Sequence, residues 1–296
     1  MKFGSVPNPE NIDFSIPADH PGTDAVLSKT AGASGMRVFV GCAKWNKTDL
    51  KNFYPKGIKD ELAYYATQFN SIELNATFYR IFPPSQFDAW YDKTPAGFKF
   101  FPKVNQTISH LRRLQNFEAP TQEYLEGVVR LKEKLGTVFL QLHDNFKPKD
   151  FDRVVRFINF WPKEVPLAAE FRHTDWFNDE KVANELYHLL EENNVANVLV
   201  DTAGRRDLMH MRLTNNEAFV RYVGANHPTD YDRLTQWAAH IEGWKQKGLK
   251  NLHFFVHQNM EAASPLLSAH LIKLLNQGIG TSLTVPKTLA DGQLLF

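Results

Sequence analysis

The sequence predicts a single-domain α/β fold, a (β/α)8 TIM barrel, and three observations predict it. Eight short runs rich in β-branched and aromatic residues recur along the chain. Most are separated by stretches with apolar residues at helical spacing, the alternation expected of a parallel sheet built from βα units. No linker or internal repeat divides the 296 residues, and barrels of this length are common as one unit. An open doubly wound sheet is the competing architecture.

Residues 1–35 are rich in Pro, Gly, Ser, Asp and Asn, and read as an irregular extension, partly mobile or draped over the domain. The barrel spans 36–277. Its first strand is expected at 37–43, followed by a helix carrying Leu62, Ala66 and Phe69. The second, at 71–75, leads to a helix with Ser85 as N-cap and Phe87, Trp90 and Tyr91 on its apolar face. Strands at 97–105 and 137–143 precede helices marked by Leu125, Val128, Val129 and Leu135, and by Phe151, Val154, Val155 and Ile158. A fifth at 167–172 precedes Val182, Leu186, Leu189 and Leu190. The sixth, at 196–201, is followed by no long helix, only a short one within 205–211. Strands at 218–224 and 251–257 complete the set, with helices on Leu234, Trp237, Ala238, Ile241 and Trp244 and on Leu267, Leu271 and Leu274. Residues 278–296 form a tail whose Leu294-Leu295-Phe296 end is a candidate for docking.

Alternation within each strand assigns side chains to two faces. Glu73 and Asn75 oppose Ile72 and Leu74. Lys103 falls with Phe101, Gln141 and His143 with Phe139, and Glu170 and Arg172 oppose Ala169 and Phe171. Asp201, Arg221 and His257 end their strands on the face of Leu199, Phe219 and Phe255. Charges inside a sheet-lined interior are costly unless paired, hydrogen-bonded or wetted. Their recurrence at matching depth near the strand C-termini, where barrel active sites lie, marks a ligand pocket. The structural alternative is a self-neutralising network of Glu73, Glu170 and Asp201 against Lys103, Arg172 and Arg221.

Lys plus Arg number 34 and Asp plus Glu 33, so there is no global electrostatic footprint for nucleic acid or an anionic membrane. Cys42 is the only cysteine, no intrachain disulfide can form, and a cytoplasmic location is expected. Met1 to Asp19 contain no apolar core of a secretory signal, and no run is long enough to span a bilayer. No Gly-rich phosphate loop, nucleophile elbow or zinc-type cysteine cluster occurs, and no cofactor is expected.

The leading expectation is an enzyme for a small anionic ligand bearing phosphate or carboxylate. Glu73 and Glu170 are its candidate acid/base pair, one held ionised and the other free to exchange a proton. Lys103 is a candidate third catalytic group, favoured as an anion contact or salt bridge over a Schiff-base nucleophile, which needs a depressed pKa from burial or a neighbouring cation. Arg172 and Arg221, helped by His110, would hold the anion. Trp45, Asn75, Gln141, His173, Asp201, His257 and Asn259 complete the candidate binding set. Trp45, Tyr54, Phe78 and Tyr79 are candidates for an aromatic lip, with Phe78 read as ordinary packing. His173 and Trp176 are candidates for a loop wall, and Arg205-Arg206 for added charge. A divalent metal on Glu73, Glu170, Asp201 and His257 is less favoured, because interleaved cations compete for the carboxylates. A non-catalytic binding protein and a nucleic-acid-processing barrel are the remaining alternatives.

Several segments resemble the DUF72, or YecE-like, family of TIM-barrel proteins: Phe53-Tyr54-Pro55, the run from Gln68 to Arg80, and Ile108-Ser109-His110-Leu111. Phe139-Leu140-Gln141-Leu142, Ala169-Glu170-Phe171-Arg172-His173 with Trp176-Phe177, and Phe219-Val220-Arg221 continue the resemblance, which covers roughly Val38 to Leu275. It implies the barrel and supplies no reaction. The departures are Lys44 in Ala43-Lys44-Trp45, His143 after Gln141-Leu142, Val223 before Gly224, and His257 with Gln258 before Asn259. They surround the expected pocket and imply a different ligand or a weakened activity.

Overall fold

The strands are short and all pair in parallel. They are β1 (Arg37–Cys42), β2 (Ser71–Leu74), β3 (Lys99–Pro102), β4 (Val138–Gln141), β5 (Leu167–Glu170), β6 (Ala196–Asn197), β7 (Leu199–Thr202), β8 (Glu217–Gly224) and β9 (Asn251–Gln258). The computed structural model describes residues 4–32 and 35–287. Three ladders form, in the orders β1-β9-β8-β7, β2-β3 and β4-β5-β6. Two isolated parallel bridges, Phe100–Leu135 and Lys103–Phe139, join the β3 stretch to the β4 stretch. The run expected as one sixth strand is two, because it changes partner at Val198. β6 pairs with β5 and β7 with β8, while the Val198 N–H donates to Ala169 O at 2.9 Å.

Strand alternation builds two apolar layers. Phe101, Phe139, Ala168, Ala196, Val198, Val200, Phe219 and Phe255 meet in one small buried cluster. Their neighbours face the helices. Ile72, Leu74 and Leu140 pack with Leu62, Phe87 and Val154 of α2 (Glu61–Gln68), α4 (Pro84–Asp92) and α6 (Phe151–Phe160), and the same cluster takes in Trp176 of α7 (Asp175–Asn178) and Leu186 of α8 (Glu180–Glu192). Val220, Phe254 and Val256 pack with Leu234, Trp237 and Ile241 of α9 (Thr229–Lys247) and with Leu267 and Leu271 of α10 (Ser264–Gly278). The helix expected through Leu135 stops earlier, as α5 (Glu118–Val128), and continues as a 3-10 segment kinked at Lys132. The unit after β7 carries only a short 3-10 segment, Ala203–Leu208. No helix among the described residues is long and apolar enough to cross a membrane.

The N-terminal stretch is more ordered than its composition suggested. Its helix α1 (Pro21–Ser28) starts with Pro at its first position, where the missing N–H costs nothing, and His20 Nδ1 accepts from Gly22 N at 3.1 Å. Thr23 anchors it by donating to Met211 O at 2.8 Å and accepting from Leu213 N at 2.9 Å. Asp19 accepts from Trp244 Nε1 at 2.9 Å and pairs with His240 and Lys247 of α9. Burial works against its charge, but those three donors outweigh it and bring its carboxyl down to about 2. In the tail, Ile279 is buried against α9 and α10. Leu294-Leu295-Phe296 lies outside the described residues.

Candidate functional site

The C-terminal ends of the strands surround a cavity of about 820 Å³. Its base is a charged cluster assembled from β2, β5, β8 and β9. Glu73 and Glu170 are both fully buried. Arg221 bridges them: Nε and Nη2 donate to the two Glu73 oxygens at 2.9 and 2.8 Å, and Nη1 donates to Glu170 Oε2 at 2.7 Å. A planar guanidinium is the side chain suited to two such acceptors at once. Arg172 Nε donates to the remaining Glu170 oxygen, and Gln141 Nε2 donates to both Glu170 oxygens at 3.0 and 2.9 Å. His257 Nε2 lies 2.9 Å from Glu73 Oε2, which requires the proton on that nitrogen. Its Nδ1 faces Glu261, 3.9 Å away.

The segment after β2 explains why Glu73, Asn75 and Thr77 recur at alternate positions. Asn75 Nδ2 donates to Glu73 Oε1 at 2.8 Å. Thr77 Oγ1, at the start of the short helix α3 (Ala76–Tyr79), lies 2.9 Å from Leu74 O and 2.8 Å from Lys103 O, locking the ends of β2 and β3 together. Asn105 Nδ2 donates to Thr77 O and Phe78 O at 3.0 and 3.1 Å. Lys103 is thereby held at the cavity base, with Nζ donating to Gln141 Oε1 at 2.8 Å and sitting 4.0 Å from the centroid of the Phe78 ring. Among the described residues it forms no ion pair. Phe78, expected as ordinary packing, lines the cavity and carries the ammonium on its face.

The electrostatics of these groups differ sharply. Burial opposes the charge on Glu73, yet Arg221 and His257 hold its carboxyl well below the usual range. Burial likewise opposes that of Glu170, and Arg172, Arg221 and Gln141 bring it down to about 2. Neither glutamate stands free to exchange a proton in this arrangement, because every oxygen of both accepts from a donor. Lys103 titrates near neutrality instead. Burial first, then Arg221 and Arg172, lower its ammonium to about 7. Burial and Lys103 lower His110 to about 4, leaving a neutral imidazole whose Nδ1 lies 2.9 Å from Ser109 Oγ on a π-helical turn, Thr107–Leu111.

Of the expected site residues, Trp45, Glu73, Asn75, Lys103, His110, Gln141, Arg172, Arg221 and His257 all line this cavity. Asn259 lines an adjoining recess that shares Lys44, Tyr79, Arg172, Arg221 and His257 with it. Glu170 lies just beneath, in contact with Arg172 and Arg221.

Several expectations are corrected. Asp201 faces outward: it pairs with Arg206 and Arg233 and accepts from Trp237 Nε1 at 2.7 Å. The reason is register, since Val200 pairs with Arg221 and sends Asp201 to the side of Tyr222. His173 lies outside the cavity lining, with Nδ1 3.4 Å from Asp175. Trp176 is fully buried, donating Nε1 to Phe146 O at 2.8 Å, and Tyr54 is buried with its hydroxyl on Trp45 O; neither lines the mouth. Arg205 and Arg206 are engaged by Asp207 and Asp201.

Sequence reasoning missed Asp49 and Glu261, which line both recesses. The four-residue spacing of Glu261 from His257 was the one available signal. Burial pushes the Glu261 carboxyl up, and Ser264 Oγ donates to it at 2.6 Å. Among the described residues no group of three His, Cys, Asp or Glu side chains is arranged to hold a metal ion.

A family model described as a protein of unknown function, DUF72, matches residues 39–290. The protein YecE of Escherichia coli K12 is 26% identical over 252 residues, covering 78% of this chain and 89% of that protein. YunF of Bacillus subtilis is 23% identical over 233 residues, covering 71% and 82%. Solved structures of DUF72 family proteins share the fold. One from Thermotoga maritima has a TM-score of 0.66 at 22% identity, covering 81% of this chain and 99% of that one. One from Enterococcus faecalis has a TM-score of 0.67 at 18% identity, covering 81% and 95%.

Proposed function

The chain belongs to the DUF72 family, and from that premise we propose that it is an enzyme for a small anionic substrate, acting by metal-independent acid/base chemistry with Lys103 as the group that moves the proton. The observation that carries this reading is the charge balance at the cavity base. Lys103, Arg172 and Arg221 face two carboxylates, Glu73 and Glu170, and Arg221 already spans both. When Lys103 is protonated these three cations exceed Glu73 and Glu170 by one, while Lys44, Asp49 and Glu261 stand elsewhere on the same lining. A phosphate or carboxylate entering the cavity balances that excess, and the same anion raises the proton affinity of Lys103.

Anion binding should therefore take up a proton near neutral pH. Titration calorimetry with sulfate, which does not itself titrate there, checks this in buffers of different ionisation enthalpy. Proton uptake is expected to be largest just above pH 7, and affinity to fall as pH rises through about 7, where Lys103 alone becomes neutral. Absence of binding, or binding with no proton uptake in this range, would count against the reading. Turnover then separates an enzyme from a binding protein using the same cavity.

The same reading includes closure of the three ladders into a (β/α)8 barrel. It is supported by the Lys103–Phe139 bridge and by the apolar cluster shared among β3 to β9. The remaining seam lies between β1 and β2, where a Cβ added at Gly41 would sit 2.2 Å from Ser71 O. Backbone cannot yield there as a flexible side chain would. Gly41→Ala is expected to cost about 1–3 kcal/mol, read as a lower urea midpoint at unchanged slope. A neutral substitution would mean an open seam. A cytoplasmic location belongs to the same reading, supported by the lone Cys42, which has no intrachain disulfide partner.

A further inference from the structure

We infer that Lys103 is a covalent nucleophile, forming an imine with the carbonyl carbon of a small oxo-acid or aldehyde whose anionic group rests on Arg172 and Arg221. The inference builds on the anion-site reading above and adds a bond to it. A lysine placed only to neutralise charge would sit on a carboxylate. Glu73 and Glu170 lie close by, yet both are taken by Arg221, and among the described residues Lys103 forms no ion pair. Its Nζ is held instead by a neutral amide oxygen at 2.8 Å and by the face of Phe78. Two guanidinium groups stand on the same cluster. Desolvation together with neighbouring cations is the environment that activates an amine for attack on a carbonyl. Such surroundings bring the ammonium down to about 7, so a neutral amine is available at ordinary pH.

The step balances without any redox partner. The amine nitrogen adds to the carbonyl carbon and a proton passes from nitrogen to the former carbonyl oxygen. That oxygen then leaves as water with both original amine protons, and a carbon–nitrogen double bond remains. His110, a neutral imidazole lining the same cavity and packed against Phe78, is assigned the relay of that proton from nitrogen to oxygen. Glu73 and Glu170, fixed as carboxylates, keep the guanidinium groups in place and take no part in the bond changes.

The test is reductive trapping on the folded protein. Wild type is treated with cyanoborohydride and either glyoxylate or glycolaldehyde phosphate, then digested, and modified lysines are mapped by mass spectrometry. The two probes distinguish a carboxylate from a phosphate as the anionic group. Lys103 is expected to be labelled at least ~10-fold faster than the rim and surface lysines Lys44, Lys51 and Lys163, because each unit of lowered pKa raises the neutral fraction about tenfold. Labelling of Lys103 by uncharged glycolaldehyde should rise through about pH 7, and labelling by the two anionic probes at a somewhat higher pH, because a bound anion raises the proton affinity of the amine. Sulfate should slow labelling at Lys103 alone, and uncharged glycolaldehyde should label it more slowly than either anionic probe. Labelling spread evenly over the lysines, or none at Lys103, overturns the imine. If sulfate binds with proton uptake while Lys103 stays unlabelled, the nucleophile fails and the anion site stands. Labelling of Lys103 that sulfate does not slow overturns the anion site, and the assigned substrate class with it.

Discussion

Arg221→Met should destabilise the fold by about 3–5 kcal/mol at pH 7, the cost of breaking a buried ion pair by removing one partner. Three of the guanidinium's hydrogen bonds go to carboxylates that are fully buried. The loss falls unevenly. Glu170 keeps Arg172 and Gln141, whereas Glu73 is left with His257 and Asn75. Its carboxyl should then rise, because burial is the largest influence on it and its largest opponent has gone.

The pH dependence carries the sign of that argument. Glutamates with depressed folded values contribute stability that is present above the unfolded value of about 4.3. It is lost as pH falls through the folded value, about 2 for Glu170. Wild type should therefore lose this contribution on acidification below about 4.3. In Arg221→Met the largest influence holding the Glu73 carboxyl down is gone, so less of this contribution remains to be lost on acidification. The stability gap between the two proteins should be full at pH 7 and narrow on acidification. Urea unfolding across this range checks it. A gap that stays constant would mean that Arg221 acts through packing, not through Glu73 and Glu170.

Strand alternation makes much of this site legible in the sequence. Glu73, Lys103, Gln141, Arg221 and His257 were separable from Ile72, Leu74, Leu140, Tyr222 and Val256 by parity alone, because each strand has one face filled by helix contacts. Parity gives two faces and does not say which is which. In β7 both neighbours, Leu199 and Val200, are apolar, so Asp201 had no local marker of its side. Its partner Arg233 arrives 32 residues later on α9, and only the folded chain places that helix over β7. The pairing pattern was equally invisible. A sequence shows two glutamates among cations, but not that one arginine spans both and leaves the lysine over. Helix α1 escaped notice because eight residues between prolines and glycines are too few to show a period.

Lys103→Met should do the opposite of Arg221→Met and stabilise the protein, by more than about 2 kcal/mol at and below neutral pH. The sign follows from linkage. A lysine whose folded value is lowered to about 7 binds its proton less well in the native state than in the unfolded chain, where the value is about 10.4. Between these values the unfolded state holds more protons, so wild-type stability rises with pH across that window. Below about 7 both states are protonated and the whole penalty of keeping a charged amine buried among cations is present. Methionine fills similar space without the charge. It loses one hydrogen bond to Gln141 and the contact with the Phe78 face, each worth about 1 kcal/mol, against a larger penalty. The gain over wild type should therefore be greatest at pH 6–7 and shrink towards about pH 10. The same substitution should abolish proton uptake on sulfate binding. A residue that lowers stability where it stands, and whose removal costs ligand chemistry, is retained for function. Chemical denaturation of the two proteins at pH 6 and pH 9 decides the matter. Should Lys103→Met be the less stable protein at pH 6, Lys103 is a structural lysine and both its proposed proton transfer and its proposed bond to substrate fall.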